Sequence, residues 1–261
     1  MPPLASEPDE CCHPLGSLPP HPPLASYSLA GFSRESYLRN LFDEAAPDYE
    51  RIERLMTLGR GSRYRNHALR RAGLTRGLEV LDVAVGTGLL AREALTLVGP
   101  QGRVVGVDPS PGMLKEVREP RLQLLHGQAE ALPVPDASCD FLSMGYALRH
   151  LRDLHAAFAE FYRVLRPGGR LLLLEITQPK SRWGRLLLRS YIRVAVPWMA
   201  RFIGCRRTST ELWRYYHETI ESCLPPPIIL EALHAAGFVE VERHVEIRLF
   251  SEYRACRPQT Q

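Results

Sequence analysis

The feature that most constrains this chain is the run Leu81-Asp82-Val83-Ala84-Val85-Gly86-Thr87-Gly88. A short β-type segment, Glu79–Ala84, passes straight into a glycine-rich turn and then into helical sequence at about 89–97. Glycines at such a turn let the backbone approach a ligand, and the following helix start offers free N–H groups. A second apolar strand, Arg103–Asp108, ends in a carboxylate about twenty residues further on, where an acid accepts both hydroxyls of a ribose. Strand, turn, helix and acidic strand end in this register predict a nucleotide-type site at the carboxyl edge of a parallel sheet.

The rest of the chain continues the alternation. Strand-like runs follow at Arg121–Leu125, Cys139–Met144 and Arg170–Ile176. An amphipathic helix, Asp153–Leu165, sets Leu154, Ala157, Phe158, Phe161 and Leu165 on one face and is stopped by Pro167-Gly168-Gly169. A helix at 226–236 and two strand-like runs, 238–246 and 248–255, close the chain. Strands alternating with helices predict an α/β fold: a doubly wound, Rossmann-like, mostly parallel seven-stranded sheet. We divide the chain into a disordered Pro-rich tail at 1–32, a helical cap at 33–77, and a sheet domain at 78–261 with a helical lid inserted at about 180–225. In the cap, Ser33 is an N-cap residue and Leu38, Leu41 and Phe42 have helical spacing. Pro47 reads as the start of a second helix carrying Tyr49, Ile52, Leu55 and Met56, ended by Gly59 and Gly61. A third helix spans about 62–72.

Composition excludes several classes. With 33 Lys+Arg against 29 Asp+Glu the net charge is +4, too little for a dedicated nucleic-acid binder. No apolar run approaches the ~18 residues of a membrane-spanning helix. The N-terminus lacks a basic segment followed by an apolar one, so it does not read as a secretory signal. Six cysteines without a C-x-x-C spacing read as reduced thiols in a cytoplasmic protein. No His/Cys/Asp cluster has metal-ligand spacing, so no metal is expected. The small net charge hides a segregation. Residues 51–76 hold eight arginines and one acid, and residues 182–207 hold seven arginines and none.

Two ligands fit the glycine-rich turn: a dinucleotide and S-adenosylmethionine. The dinucleotide fingerprint has three glycines and seats a pyrophosphate. Here the pattern is Ala84-x-Gly86-x-Gly88 behind an acid, Asp82, which suits an ammonium-bearing ligand and repels phosphate. The methyl donor is therefore the favoured cofactor.

At this point the chain resembles the ubiquinone/menaquinone-biosynthesis C-methyltransferases, class I S-adenosylmethionine-dependent enzymes, over roughly residues 40–238. The resemblance is carried by Leu41-Phe42-Asp43-Glu44-Ala45-Ala46-Pro47-Asp48-Tyr49, by Leu81–Gly88 and by Val105–Met113. Gln128–Asp136, Gly145-Tyr146-Ala147-Leu148-Arg149-His150, Phe161–Gly169 and Leu174-Glu175-Ile176 add to it, with Trp213–Ile220 as an echo further on. This chain has Tyr49-Glu50 for the family's Tyr-Asp, Glu53 for its following Asn, and Arg149-His150 for its Arg-Asn.

The resemblance implies a donor site made by Asp82, Ala84, Gly86, Thr87, Gly88, Asp108, Pro109, Met113, Gln128, Ala129 and Gly145. In it Thr87 and its glycine neighbours meet the methionine end and Asp108 holds the ribose. Met113 lies on the adenine face, Gln128 and Ala129 at its edge, and Gly145 on the floor. A phenolic ring becomes nucleophilic at carbon once its hydroxyl loses a proton, so a cation or base near that oxygen helps. Arg149 is the candidate cation, its structural alternative being an ion pair with Asp153. His150 is the candidate base and Tyr49 the residue over donor and substrate; His217 and Tyr216 are weaker candidates.

In the lid, Arg182, Arg185, Arg189 and Arg193 share one helical face beside Leu186 and Leu187, with Trp183 and Trp198 flanking. Such a helix reads as a substrate lid or as peripheral contact with an anionic membrane. The function expected is C-methylation of a lipophilic aromatic, quinone or isoprenoid-type acceptor. O- or N-methylation of a small natural product, and a non-catalytic assembly protein that kept the donor fold, are the alternatives. A small lipophilic acceptor is the expected partner; a homodimer is left open.

Overall fold

The computed structural model describes residues 16–24, 33–179, 181–196, 198 and 208–259. Most of the Pro-rich tail, the lid residues 199–207 with Cys205, and the side chain of Trp213 lie outside the described residues.

The cap opens with α1 (Arg34–Met56), whose N-cap Ser33 accepts the Ser36 amide, followed by α2 (Gly61–Arg71). The sheet domain then runs β1 (Glu79–Val83), α3 (Leu89–Val98), β2 (Arg103–Asp108), α4 (Pro111–Glu116), β3 (Gln123–His126) and β4 (Cys139–Gly145). After a 3-10 turn at Leu148–His150 come α5 (Leu154–Val164) and β5 (Leu165–Ile176). The lid supplies α6 (Arg182–Ser190), continued by a π-turn at Tyr191–Ala195, and α7 (Thr208–Ser222). The chain ends with α8 (Pro226–Ala235), β6 (Val239–Glu246) and β7 (Phe250–Cys256).

The seven strands lie in the order β3-β2-β1-β4-β5-β7-β6. The first five are parallel, and β7 pairs antiparallel with β5 and β6. The expected doubly wound sheet is therefore present. Its strand order reverses at β1, which places a crevice at the carboxyl ends of β1 and β4. One face of the sheet packs on α5 and α8 through Phe158, Phe161, Ile229 and Leu233; the other packs on α2 and α3 through Leu69, Ala91 and Leu95. A third cluster, with Leu41, Ile52, Leu212, Tyr215 and Ile220, joins the cap to the lid.

Three expectations need correction. Pro47 lies inside α1 and starts no second helix. Tertiary burial of Leu41, Ala45, Ala46 and Ile52 along one face holds the helix continuous despite the missing N–H. The strand expected from Arg170 begins at Leu165, because Cys139 on β4 already pairs with Leu165 ahead of the glycines. Finally, residues 16–24 of the tail are docked. Leu18 O accepts the Leu154 amide at 2.9 Å and Pro20 O accepts the Leu224 amide at 2.8 Å. Leu18 N donates to Asp153 Oδ1 at 3.1 Å, and His21 and Leu24 are buried. The amide of Leu154 opens α5 and has no partner within the helix, so an extended Pro-rich strand can satisfy it with a free carbonyl.

Candidate functional site

A cavity of about 370 Å³ opens at the carboxyl ends of β1, β2 and β4. β1 ends below Ala84, which takes a left-handed conformation (φ 55°), and the chain turns through Gly86 (φ 55°) into Gly88 (φ 87°), the N-cap of α3. A Cβ at Gly86 would meet nothing, so the backbone there faces open space. Asp108, at the end of β2, is buried beside it. Its Oδ2 accepts the Gly86 amide and its Oδ1 the Ser110 amide, both at 2.8 Å. Each oxygen keeps a lone pair for a hydroxyl of a ligand. Burial pushes the Asp108 carboxyl up to about 6, against the hydrogen bonds from Ser110 and Gly86.

The cavity wall brings together Ala84, Gly86, Asp108, Pro109, Met113, Gln128, Ala129, Gly145, Tyr49 and His150 of the residues expected from sequence. Asp82, Thr87 and Gly88 are not in it. Asp82 lies buried beneath the turn, where Ser143 Oγ donates to its Oδ1 at 2.6 Å across the β1–β4 pair. Its Oδ2 has no hydrogen-bond partner, and burial drives the carboxyl up to about 7. Thr87 is buried with an unpartnered hydroxyl, and Gly88 packs toward Val117 and Leu122. Asp82 projects from a face of the sheet, as strand side chains do, and not out of the end of β1 where the cavity opens.

The cap closes the cavity from above. Asp43 Oδ1 on α1 accepts both Ser110 Oγ (2.5 Å) and the Gly112 amide (2.8 Å), fastening α1 to α4. Phe42 packs edge-on against His150 with ring centroids 5.1 Å apart, and His150 Nδ1 shares a 2.5 Å hydrogen bond with Tyr215 OH. Burial holds the His150 pKa well below its ordinary value, and the charges of Arg149, His21 and Arg34 add to this. His150 is therefore a neutral imidazole.

Behind this cavity lies an inner one of about 80 Å³, between α1, α6 and the ends of β5 and β7. Its wall is mostly apolar, with Ile52, Met56, Ile176, Leu188 and Phe250 prominent. Tyr49 and Tyr146 line both cavities. Tyr146 has φ 61°, a strained conformation for an aromatic residue, held by its amide donating to Leu174 O at 2.7 Å. Arg149 lines the inner cavity and not the outer one. It is 2% exposed, ion-paired to Glu175 at the end of β5, and 5.1 Å over the Tyr216 ring. Its Nε has no hydrogen-bond partner. The pairing with Asp153 is not formed, because that carboxylate caps α5 and holds Leu18. Burial works against the Arg149 charge, but attraction to Glu175 holds its pKa above the usual arginine value. Burial likewise pushes Glu175 up, opposed by Arg149.

Tyr216 donates to Tyr49 OH at 3.5 Å in the roof, whereas His217 faces Glu221 at 3.3 Å, away from both cavities. Sequence reading missed Tyr146, Ser110 and the partnership of Glu175. The signal for Glu175 was present: like Asp82 and Asp108, it is an acid closing a parallel strand. Glu53, in the inner wall, is held by Arg65 of α2. Three ligand-type side chains, His244, Glu246 and Glu252, converge across the β6–β7 hairpin. Both carboxylates there already bind Arg71 at 2.5 Å, so their charge is compensated.

The arrangement fits S-adenosylmethionine. A buried carboxylate with free lone pairs suits the ribose, an open glycine backbone suits close approach, and the buried acid Asp82 favours positive charge above it. Comparison with known proteins agrees. The profile of the ubiE/COQ5 methyltransferase family matches residues 31–246. A demethylmenaquinone methyltransferase of Symbiobacterium thermophilum is 32% identical over 219 residues, 80% of this chain and 87% of that protein. The ubiquinone/menaquinone biosynthesis C-methyltransferase UbiE of Syntrophotalea carbinolica is 34% identical over 227 residues, 84% of this chain and 93% of that protein. Among solved structures, an S-adenosylmethionine-dependent methyltransferase from Aquifex aeolicus superposes with a TM-score of 0.58 at 19% identity, covering 80% of this chain and 97% of that one.

Proposed function

Because the chain belongs to the ubiE/COQ5 methyltransferase family and is an S-adenosylmethionine-dependent methyltransferase, we propose that it methylates a ring carbon of a lipophilic quinone-type acceptor held in the inner cavity. The observation that carries this reading is the shared wall. Tyr49 and Tyr146 stand between a polar nucleotide-type cavity and an apolar one whose buried cation is Arg149. The names of the relatives, which act in menaquinone and ubiquinone synthesis, point to the same acceptor class.

Asp108 would hold the donor's ribose, Met113, Gln128 and Ala129 its base, and the Ala84–Gly86 turn its amino-acid end. When bound, S-adenosylmethionine supplies a methyl group on a positively charged sulfur, open to in-line attack. The chain's own residues prepare the acceptor. The largely apolar wall orients the ring, which supplies much of the rate. Arg149 stays ionised although buried, because Glu175 attracts it, and as part of this cavity's wall it can stabilise the negative charge on an acceptor oxygen that loses its proton. That charge makes the adjacent ring carbon nucleophilic. His150, neutral and in the wall of the outer cavity alone, acts as a hydrogen-bonding wall residue there. The hydroxyl proton, and the ring-carbon proton released once the methyl group has bonded, leave to solvent through the mouth of the inner cavity. Tyr49, whose pKa burial raises, stays protonated and serves as a wall and hydrogen-bond donor.

We place this chemistry in the cytoplasm, where Cys139, Cys223 and Cys256 persist as free thiols. No helix among the described residues is long and apolar enough to cross a membrane. The test is direct. Purified protein is incubated with methyl-labelled donor and either a reduced demethylmenaquinone or a small catechol, and the product is located by mass spectrometry and NMR. Label on a ring carbon of the quinol supports the proposal. Label on oxygen or nitrogen of the small acceptor alone would sink it.

A further inference from the structure

Among the described residues, exposed large apolar side chains concentrate in the lid. Of nine exposed large apolar side chains among the described residues, five fall within residues 183–198: Trp183 (82% exposed), Leu186, Leu187 (73%), Val194 and Trp198. Trp183 and Leu187, four residues apart, share one flank of α6, and Val194 and Trp198 continue the exposed apolar surface into and beyond the π-turn. Arg182, Arg185, Arg189 and Arg193 form a stripe beside it. No residue of α6 is buried. The opposite side of the same segment is anchored: Leu188 and Tyr191 line the inner cavity, and Tyr191 OH donates to the carbonyls of Leu55 and Met56 on α1 at 3.3 and 3.2 Å. Glu221 of α7 lies 3.7 Å from Arg189 and also meets His217.

A helix with tryptophans and leucines bare on one flank and arginines on the next has the composition of one lying in a lipid headgroup layer. Exposed patches of this kind mark interaction sites, and the arginine stripe selects a negatively charged partner over a neutral one. We propose that the outer face of α6 and its π-turn docks in the plane of an anionic bilayer. The inner cavity is then one helix thickness from the lipid, and an acceptor dissolved in the bilayer enters between α6 and α1. The docking stands on the surface alone, while the delivery step depends on the lipophilic acceptor proposed above.

The experiment is co-sedimentation of the full chain with vesicles of phosphatidylcholine, alone or mixed with phosphatidylglycerol, at low and high salt. The expected result is binding to the mixed vesicles at low salt, loss of most binding in high salt, and a blue shift of tryptophan emission. Trp183→Ser with Leu187→Gln, and separately Arg182→Gln with Arg193→Gln, should each cut binding at least about tenfold while leaving donor affinity by calorimetry unchanged. Unchanged donor affinity shows that the variants fold. No binding to mixed vesicles, equal binding to neutral ones, or variants that bind like the parent would each overturn the proposal. So would self-association in vesicle-free buffer that the Trp183/Leu187 variant abolishes, since a second copy would then own this face. For delivery, the variants should lose turnover of a long-chain acceptor in vesicles and keep turnover of a short-chain acceptor in solution. If neither acceptor is methylated by the parent protein, the acceptor assignment fails and the docking result stands by itself.

Discussion

At the scale of single residues, the buried acids set the pH behaviour. Asp82 is pushed up to about 7 and Asp108 to about 6, chiefly by burial. An aspartate in an unfolded chain titrates near about 3.9. Between about pH 4 and 7 the folded protein thus holds protons that the unfolded chain releases, so these groups make ligand-free stability fall as pH rises through that window. A donor bearing positive charge favours both acids ionised. Donor affinity should therefore rise from about pH 5 to 8, with net proton release near neutrality. Calorimetry in two buffers of different ionisation enthalpy reads that release directly; a pH-independent affinity would contradict it. Asp108→Asn should weaken donor binding by at least about tenfold, in line with the ~1.5–3 kcal/mol of a hydrogen bond to a charged group. Arg149 invites a paired test. Arg149→Met leaves Glu175 buried and alone, at a cost of about 3–5 kcal/mol in urea unfolding. Arg149→Met with Glu175→Leu should recover most of that stability but none of the turnover, separating the structural from the chemical role of the cation.

At the scale of elements, the larger cavity depends on how closely α1 lies on α4. Gly112 packs directly against α1: a Cβ there would sit 2.7 Å from the Asp43 Cα. The same turn of α1 carries Pro47, which has no N–H to offer the Asp43 carbonyl. Gly112→Ala must push the two helices apart, and overpacking of this kind costs ~1–3 kcal/mol. Because Met113 is the next residue and lines the cavity, donor affinity should fall together with stability. Urea unfolding and calorimetry on the same variant check both; a loss of stability with unchanged affinity would refute the link. The docked segment at residues 16–24 makes a separate prediction. Removing residues 1–24 leaves the Leu154 and Leu224 amides without their carbonyl partners, so urea stability should drop by about 1–3 kcal/mol. These contacts were not legible in sequence, since a Pro-rich stretch looks the same whether it is docked or free.

At the scale of the whole molecule, the small net charge conceals a division of labour. Two arginines of the cap are structural: Arg65 holds Glu53, and Arg71 ties α2 to Glu246 and Glu252 on the C-terminal hairpin, whereas Arg51, Arg54, Arg60, Arg63, Arg70 and Arg76 are exposed. Among the described residues of the lid, Arg182, Arg185, Arg189 and Arg193 are exposed. Both basic stretches therefore present charge outward, beside Arg65 and Arg71, which the cap holds in ion pairs. The sequence by itself determined the parallel sheet, the glycine turn and the acid at the end of β2, because strand and helix periods and the conformational freedom of glycine are local properties. It also determined most of the wall of the larger cavity, since those residues lie within a few positions of strand ends. Only the tertiary structure decided that Asp82 lies under the turn rather than in the cavity, that Arg149 pairs with Glu175, and that Tyr49 and Tyr146 divide two cavities. Each of those depends on packing between segments far apart in the chain, and which buried charge meets which is fixed by that packing and by the cost of leaving either one alone.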